Sequence, residues 1–377
     1  MRTEFDALST PCYVVDETLL AKNLKKLADV QQKSGAKILL AQKAFSMFRI
    51  YPLLSKTLYG TAASGLYEAR LGREHFPGEV HTYSPAYRED EFAEILEASD
   101  HVLFNSFKQW ERYKNRALAA GISCGLRINP ACSTQEGHEI YDPCAPCSRL
   151  GITKEQFEPD KLAGIEGLHF HTLCEQNADA LVTTLSCFER DFGEYLHSMK
   201  WFNLGGGHHI TREDYDVELL VRTIVRLRKT YGVEVYLEPG EAIALNTGFL
   251  ISTVLDTLHN GMDIAILDTS ASCHMPDVIE MPYRPNIIGA GMPDEKAYTF
   301  RLGGPTCLAG DIIGDYSFDA PLAPGDKLVL LDMAIYSMVK NNTFNGMRLP
   351  DIVLKKADSS FETVRSFGYE DFKNRLS

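Results

Sequence analysis

Residues able to do chemistry stand at the ends of short apolar runs. Lys43 follows Leu39-Leu40-Ala41-Gln42. An amine withdrawn from water there has a lowered pKa and is a competent imine-forming nucleophile, although a lysine at a strand end is also commonly a solvated side chain. Gly205-Gly206-Gly207 follows another apolar run and bares backbone N–H groups that suit a phosphate near a helix N-terminus; the same triplet also serves as a tight turn. Glu238-Pro239-Gly240-Glu241 brings two carboxylates, His171 closes the run Gly167-Leu168-His169-Phe170, and Ser64 follows another. Lysine, glycine cradle and carboxylate together point to one pocket more strongly than any of them alone.

The elements that must position these groups are legible as a rhythm. Eight apolar runs, at 37–43, 58–63, 80–84, 101–105, 124–129, 167–171, 201–204 and 233–238, alternate with amphipathic segments. The clearest helical pattern is 177–198, with Leu181, Leu185, Phe188, Phe192 and Tyr195 on one face; a second carries Val217, Leu220, Ile224, Leu227 and Tyr231. Strand and helix in alternation predict a parallel sheet, and eight strands fit a closed (β/α)8 TIM barrel better than an open sheet. The chemical residues then converge on the C-terminal face of that barrel. After residue 243 the pattern becomes β-rich, at 250–258, 263–268, 298–303 and 327–333, separated by turns such as Ala323-Pro324-Gly325-Asp326. This predicts a barrel over 15–245 and a second, all-β domain, β-sandwich or β-barrel-like, from 1–14 plus 246–377. The stretch Thr10 to Val15 supplies an added strand.

Composition excludes several classes of partner. The chain of 377 residues has 38 Lys+Arg against 51 Asp+Glu, a net charge of −13. That disfavours nucleic acid and anionic membrane surfaces and favours a cationic small molecule. No apolar stretch reaches the ~20 residues of a membrane span and the N-terminus lacks a secretory core, so a cytoplasmic address is expected. The nine cysteines read as reduced thiols. Cys144 and Cys147, with Cys132 upstream, read as a surface or active-site loop, because no fourth zinc ligand completes them. His208, His209 and His274 show no zinc spacing either, and no metal is expected.

These motifs, in this order, resemble one family: Ala41-Gln42-Lys43-Ala44, Ala63-Ser64-Gly65, Ser148-Arg149-Leu150-Gly151, His169-Phe170-His171, Asn203-Leu204-Gly205-Gly206-Gly207, Glu238-Pro239-Gly240, Gly304-Pro305-Thr306-Cys307, and Tyr336 followed by Thr343-Phe344-Asn345-Gly346. They resemble the pyridoxal-phosphate decarboxylases of the alanine-racemase-like fold, which include ornithine, arginine and diaminopimelate decarboxylases. Glu238-Pro239-Gly240-Glu241-Ala242, the run from Pro276 to Pro285, and Cys307-Leu308-Ala309-Gly310-Asp311 are similar to the branch that acts on carboxynorspermidine and carboxyspermidine. The resemblance implies pyridoxal 5′-phosphate as cofactor, carried by Lys43, with His171 stacked on its ring and Glu238 at its ring nitrogen. Gly205, Gly206, Gly207, Gly240 and Tyr336 would hold the phosphate, supported by Ser64 and Arg149. Cys307 would return a proton to Cα from the other subunit of a homodimer; outside such a motif a cysteine is more often an inert buried thiol.

Departures from the better-known relatives bear on the substrate. Ornithine and diaminopimelate enzymes have arginine after Glu-Pro-Gly, where this chain has Glu241. Where diaminopimelate enzymes have an acid after the cysteine, this chain has Leu308, with Asp311 further on; where they grip a distal carboxylate with arginine, it offers Glu280. Anions in place of cations favour a carboxylated polyamine whose far end is an amine. Glu238, Glu241, Asp277, Glu280 and Asp311, with His274 as hydrogen-bonding partner, are the candidate contacts; each acid also reads as a solvated loop carboxylate. Alternatives are decarboxylation of diaminopimelate, ornithine or lysine, and a non-catalytic cofactor-binding regulator.

Overall fold

The computed structural model describes residues 4–135 and 139–377. The chain divides into two compact units, one from Lys22–Ile243 and one from the described part of Met1–Ala21 with Ala244–Ser377. After β1 (Cys12–Asp16), eight strands belong to the first of these: β2 (Lys37–Ala41), β3 (Gly60–Ala63), β4 (Glu79–Tyr83), β5 (His101–Phe104), β6 (Ser123–Ile128), β7 (Gly167–Phe170), β8 (Trp201–Asn203) and β9 (Glu234–Leu237). They form a closed barrel in chain order. Every neighbouring pair is parallel, and β9 returns to β2 through Tyr236 opposite Lys37. The predicted barrel is thus present, each strand within two residues or so of its apolar run.

Its interior is filled, as a closed barrel of this size requires. Leu39, Leu103, Trp201 and Tyr236 make an inner cluster. Trp201 is accommodated by glycines on adjacent strands: a Cβ at Gly167 would come within 2.0 Å of the indole and one at Gly125 within 2.2 Å. At the strand N-terminal end Glu79 lies 3.0 Å from His81, and the rings of His81 and His101 stack at 3.8 Å. The Lys37 ammonium occupies the cation position there, 3.6 Å from Glu79 and 3.0 Å from Glu234.

Outer helices begin where the sequence offers a cap. Asn177 accepts from the N–H of Ala178 at the start of Ala178–Leu196, and Asp216 accepts from Leu219 at the start of Val217–Tyr231. These satisfy donors a helix start leaves open. The second helix ends on Gly232 at φ 72°, a left-handed position that favours glycine. Cys132 and Cys187 are joined as a disulfide, which corrects the reading of all nine cysteines as reduced; a pairing across 55 residues leaves no trace in local spacing.

The other unit contains β1 and a β-rich tail: β10 (Gly248–His259), β11 (Asp263–Leu267), β12 (Tyr298–Gly303), β13 (Ile312–Phe318), β14 (Lys327–Leu331), β15 (Asp351–Lys355) and β16 (Phe361–Arg365). They form one mixed sheet of eight strands, ordered β13-β12-β11-β10-β1-β15-β16 with β14 also on β10. Strand β1 is buried along its length because both sheet faces are covered. Tyr13 enters one core, Cys12 and Val14 the other, as alternation along a strand dictates. Strands β13, β15 and β16 lie outside the runs predicted from sequence. Gly314 and Asp315 interrupt the first, the second is only five residues long, and the third is a partly exposed edge.

Candidate active site

The barrel strands carry their chemistry at their C-terminal ends, where the chain turns out of the sheet. Lys43 follows β2. Solvent reaches its side chain although protein surrounds it closely enough to desolvate it, as on the wall of a deep concavity. Burial lowers its pKa, the Arg127 guanidinium lowers it further, and Glu238, Cys174 and Glu68 act in opposition. An amine so placed is uncharged more of the time than a surface lysine.

Glu238 follows β9. Its Oε1 accepts from Asn203 Nδ2 at 2.7 Å, and its Oε2 lies 3.4 Å from His169 Nε2. Burial alone would raise its pKa, but His169, His81 and Asn203 overcome this and hold the carboxyl at about 2. It is therefore anionic throughout the physiological range. The backbone N–H of Glu238 donates to Gly205 O at 2.8 Å, and Gly205 N–H donates to Asn203 Oδ1 at 2.8 Å. Acid and glycine loop are thus held to each other.

His171 follows β7, and a nitrogen of its ring lies within 4.8 Å of a Glu238 carboxylate oxygen. Gly206 N–H donates to its Nδ1 at 3.3 Å, which leaves the ring proton on Nε2 of a neutral imidazole. Burial and then the neighbouring charge of Lys43 push its pKa well below the usual 6.5, so neutrality is the stable state. Arg127 donates to the His171 carbonyl at 3.4 Å and lies 4.6 Å over the Tyr83 ring. Gly205 and Gly207 adopt φ of 68° and 81°, and the cradle is tight. A Cβ at Gly206 would stand 2.6 Å from Glu238 O, and one at Gly207 2.1 Å from Leu173 O. Gly240 packs against Ala44, where a Cβ would be 2.6 Å away.

Ser64 is exposed and its N–H donates to Glu68 Oε2 at 2.6 Å. Arg149 is exposed too; its carbonyl accepts from Asn105 Nδ2 at 2.9 Å, and Asn105 Oδ1 also accepts from Gly151 N–H at 2.7 Å. Lys43, Glu238, His171, the glycines, Ser64 and Arg149 all belong to the barrel unit.

Comparison with known proteins decides what this mouth belongs to. The family model described as "Pyridoxal-dependent decarboxylase, C-terminal sheet domain" matches residues 12–334. The chain belongs to the pyridoxal-dependent decarboxylases. It is 44% identical to the carboxynorspermidine/carboxyspermidine decarboxylase of Campylobacter jejuni subsp. jejuni over 98% of this chain and 99% of that one. It is 43% identical to the carboxyaminopropylagmatine decarboxylase of Synechocystis over 98% of this chain and 96% of that one. Among solved structures it superposes on carboxynorspermidine decarboxylase from Campylobacter jejuni, complexed with norspermidine, with a TM-score of 0.91 over 98% of this chain and 100% of that chain.

The cofactor of this pyridoxal-dependent decarboxylase is pyridoxal 5′-phosphate, and the site's own features fit it. A lysine with a lowered pKa suits the aldehyde, and glycines that admit no side chain bare amides for the phosphate. Glu238, anionic inside the barrel, matches a protonated ring nitrogen.

Of the remaining candidates, Glu241 belongs to the barrel unit and pairs with His209, and Cys307, Tyr336, Asp277, Glu280, His274 and Asp311 belong to the sheet unit. Cys307 is exposed, and its N–H donates to Asn345 Oδ1 at 2.7 Å. Tyr336 holds φ 47°, uncommon for a bulky residue. Asp277 and Glu280, on one helical turn, both pair with Lys340. His274 is fully buried, accepts from Ser270 N–H at 3.2 Å, and is lowered by burial to about 4. Asp311 is 3% exposed and faces inward: its oxygens accept from Ser270 Oγ at 2.9 Å and Thr306 Oγ1 at 2.7 Å. It holds the loop that presents Cys307.

Sequence reasoning passed over Arg127, His169, Asn203, Glu68 and Lys340 as site residues. His169 and Asn203 were within reach, since they sit in the same motifs as His171 and the glycines. Arg127 had a signal as well, a charge inside an apolar strand. Glu68 and Lys340 are placed only by folding.

Proposed function

We propose that this pyridoxal-dependent decarboxylase removes the α-carboxylate of carboxynorspermidine and carboxyspermidine, releasing norspermidine and spermidine. The decarboxylase chemistry is supported by the pairing, at one barrel mouth, of an amine with a lowered pKa and a carboxylate held ionised. The chain is also similar along its whole length to decarboxylases of carboxylated polyamines.

Bound pyridoxal phosphate supplies a sink for the electron pair that departing CO2 leaves at Cα. The residues divide the remaining work. Lys43 would hold the cofactor through its amine, and Glu238 would keep a proton at its ring nitrogen. His171, neutral, would help to hold the ring. Gly205 to Gly207, Gly240 and Tyr336 would hold its phosphate, with Ser64 and Arg149 in support. Cys307 Sγ–H delivers the proton that takes the place of CO2 at Cα. Glu241, Asp277 and Glu280 answer the substrate ammonium groups, while His274 and Asp311 hold the loops around them.

A homodimer completes the site, each chain lending Cys307 to the other's barrel. Supporting this, Leu308 and Phe344, which flank Cys307 and the Asn345 that holds it, are exposed apolar side chains at 44% and 49%, of the kind a partner covers. The enzyme works in the cytoplasm, a compartment that keeps an exposed thiol such as Cys307 reduced.

A second reading is decarboxylation of carboxyaminopropylagmatine, favoured by the 43% identity with the Synechocystis enzyme. Measuring CO2 release from carboxynorspermidine, carboxyspermidine, carboxyaminopropylagmatine, diaminopimelate and ornithine separates them. The first two should exceed the others in kcat/KM by about 100-fold or more. Preference for the agmatine derivative would install the second reading, and preference for diaminopimelate would remove both.

A further inference from the structure

The histidines that follow the glycine cradle have unequal fates. His208 is buried and its Nε2 lies 3.2 Å from Leu204 O, a fold contact. His209 is 7% exposed and its Nε2 stands 3.2 Å from Oε1 of Glu241, the residue that opens the short helix Glu241–Ala244. On its other side Nδ1 stands 3.2 Å from Arg212 Nη1.

A guanidinium donates and never accepts, so Nδ1 of His209 is the acceptor and its proton sits on Nε2, pointed at Glu241. Arg212 is itself held by Asp214 Oδ1 at 2.5 Å and by Glu175 O at 3.4 Å. Its charge is offset by Asp214. A direct Arg–Glu pair would orient Glu241 equally well but cancel its charge. A neutral imidazole between them transmits the orientation and leaves the carboxylate its full negative charge.

We infer that Arg212 and His209 are positioning residues that fix the Glu241 carboxylate for a cationic amine of the substrate, so that the Arg212–His209–Glu241 relay sets the preference for amine-ended substrates. This rests on the proposed function, in which Glu241 meets the substrate. The alternative is a purely structural imidazole, since His209 N–H also donates to Gln176 O at 3.3 Å.

The test compares holoenzymes of wild type, His209→Leu, His209→Gln and Arg212→Met. Steady-state kinetics uses carboxynorspermidine, and calorimetry follows norspermidine binding. His209→Leu should raise KM and the norspermidine Kd together by about 10- to 100-fold with kcat within about 3-fold. Glutamine, whose terminal N–H reaches where Nε2 stands, should restore both constants to within about 3-fold. Constants within about twofold of wild type in His209→Leu would overturn the relay, and so would equal losses in the leucine and glutamine variants. If His209→Leu does not fold, Arg212→Met decides, an unchanged KM again overturning the relay. If the wild type leaves both carboxylated triamines intact, the substrate reading fails by itself, and the relay stands or falls on KM for the amine-ended substrate the enzyme does turn over.

Discussion

At the scale of single residues, two charges of opposite sign are held off their ordinary values within one barrel mouth. Lys43 is pulled toward neutrality by burial, and Glu238 is kept ionised against burial by His169 and Asn203. Borohydride treatment of the loaded enzyme should fix a cofactor mass on the peptide bearing Lys43, and Lys43→Ala should show none; an adduct elsewhere would refute the assignment. Glu238→Gln keeps the shape and removes the charge, and kcat should fall by roughly 100- to 1,000-fold. Its linkage to stability is also signed. The Glu238 carboxyl sits at about 2 in the folded chain against an ordinary 4.5, so the stability it contributes is complete above pH 4.5 and is lost as pH falls toward 2. Lys43, Glu238 and the glycines were readable because each sits beside an apolar run with a residue type that run does not need. Glu68, which reaches Ser64, was not, because one exposed-looking acid in a helix resembles any other until the helix is placed.

At the scale of elements, small residues decide what fits. Gly167 and Gly125 lie under the Trp201 indole, and a Cβ at Gly167 would come within 2.0 Å of it. Gly167→Val should overpack the barrel by about 1–3 kcal/mol and lower Tm by roughly 2–10 °C; an unchanged melting curve would show that the indole moves aside freely. Strand runs and the amphipathic spacing of the helices made the barrel elements legible, since their burial pattern repeats locally. Strands β13 and β16 escaped because their partners, not their own sequences, make them strands: Arg301 on β12 pairs with Asp315 on β13 at 2.8 Å, a contact no single segment encodes.

At the scale of the whole molecule, acid should loosen the fold before the carboxylates titrate. Burial holds His208 and His274 at about 4 against a usual 6.5. The unfolded chain then binds protons the folded chain refuses, and stability falls as pH drops from 6.5 toward 4, by up to about 1.4 kcal/mol per pH unit for each group. Melting of the cofactor-free enzyme across that range checks the sign, and a flat Tm would contradict it. The proposed shared site makes a separate prediction. Lys43→Ala and Cys307→Ala, each inactive, should recover about a quarter of wild-type activity when mixed and allowed to exchange, because half the dimers are mixed and one site in each of these is intact. No recovery in exchanged mixtures would place both residues in one chain. The sequence by itself determined the alternation of strands and helices, the lysine, the glycine cradle and the acid, because apolar period and residue type are local properties. Only the tertiary structure decided that Asp311 and His274 face inward, that Lys340 stands between Asp277 and Glu280, and that an imidazole separates Arg212 from Glu241, because the direction of a side chain depends on neighbours that arrive from distant parts of the chain.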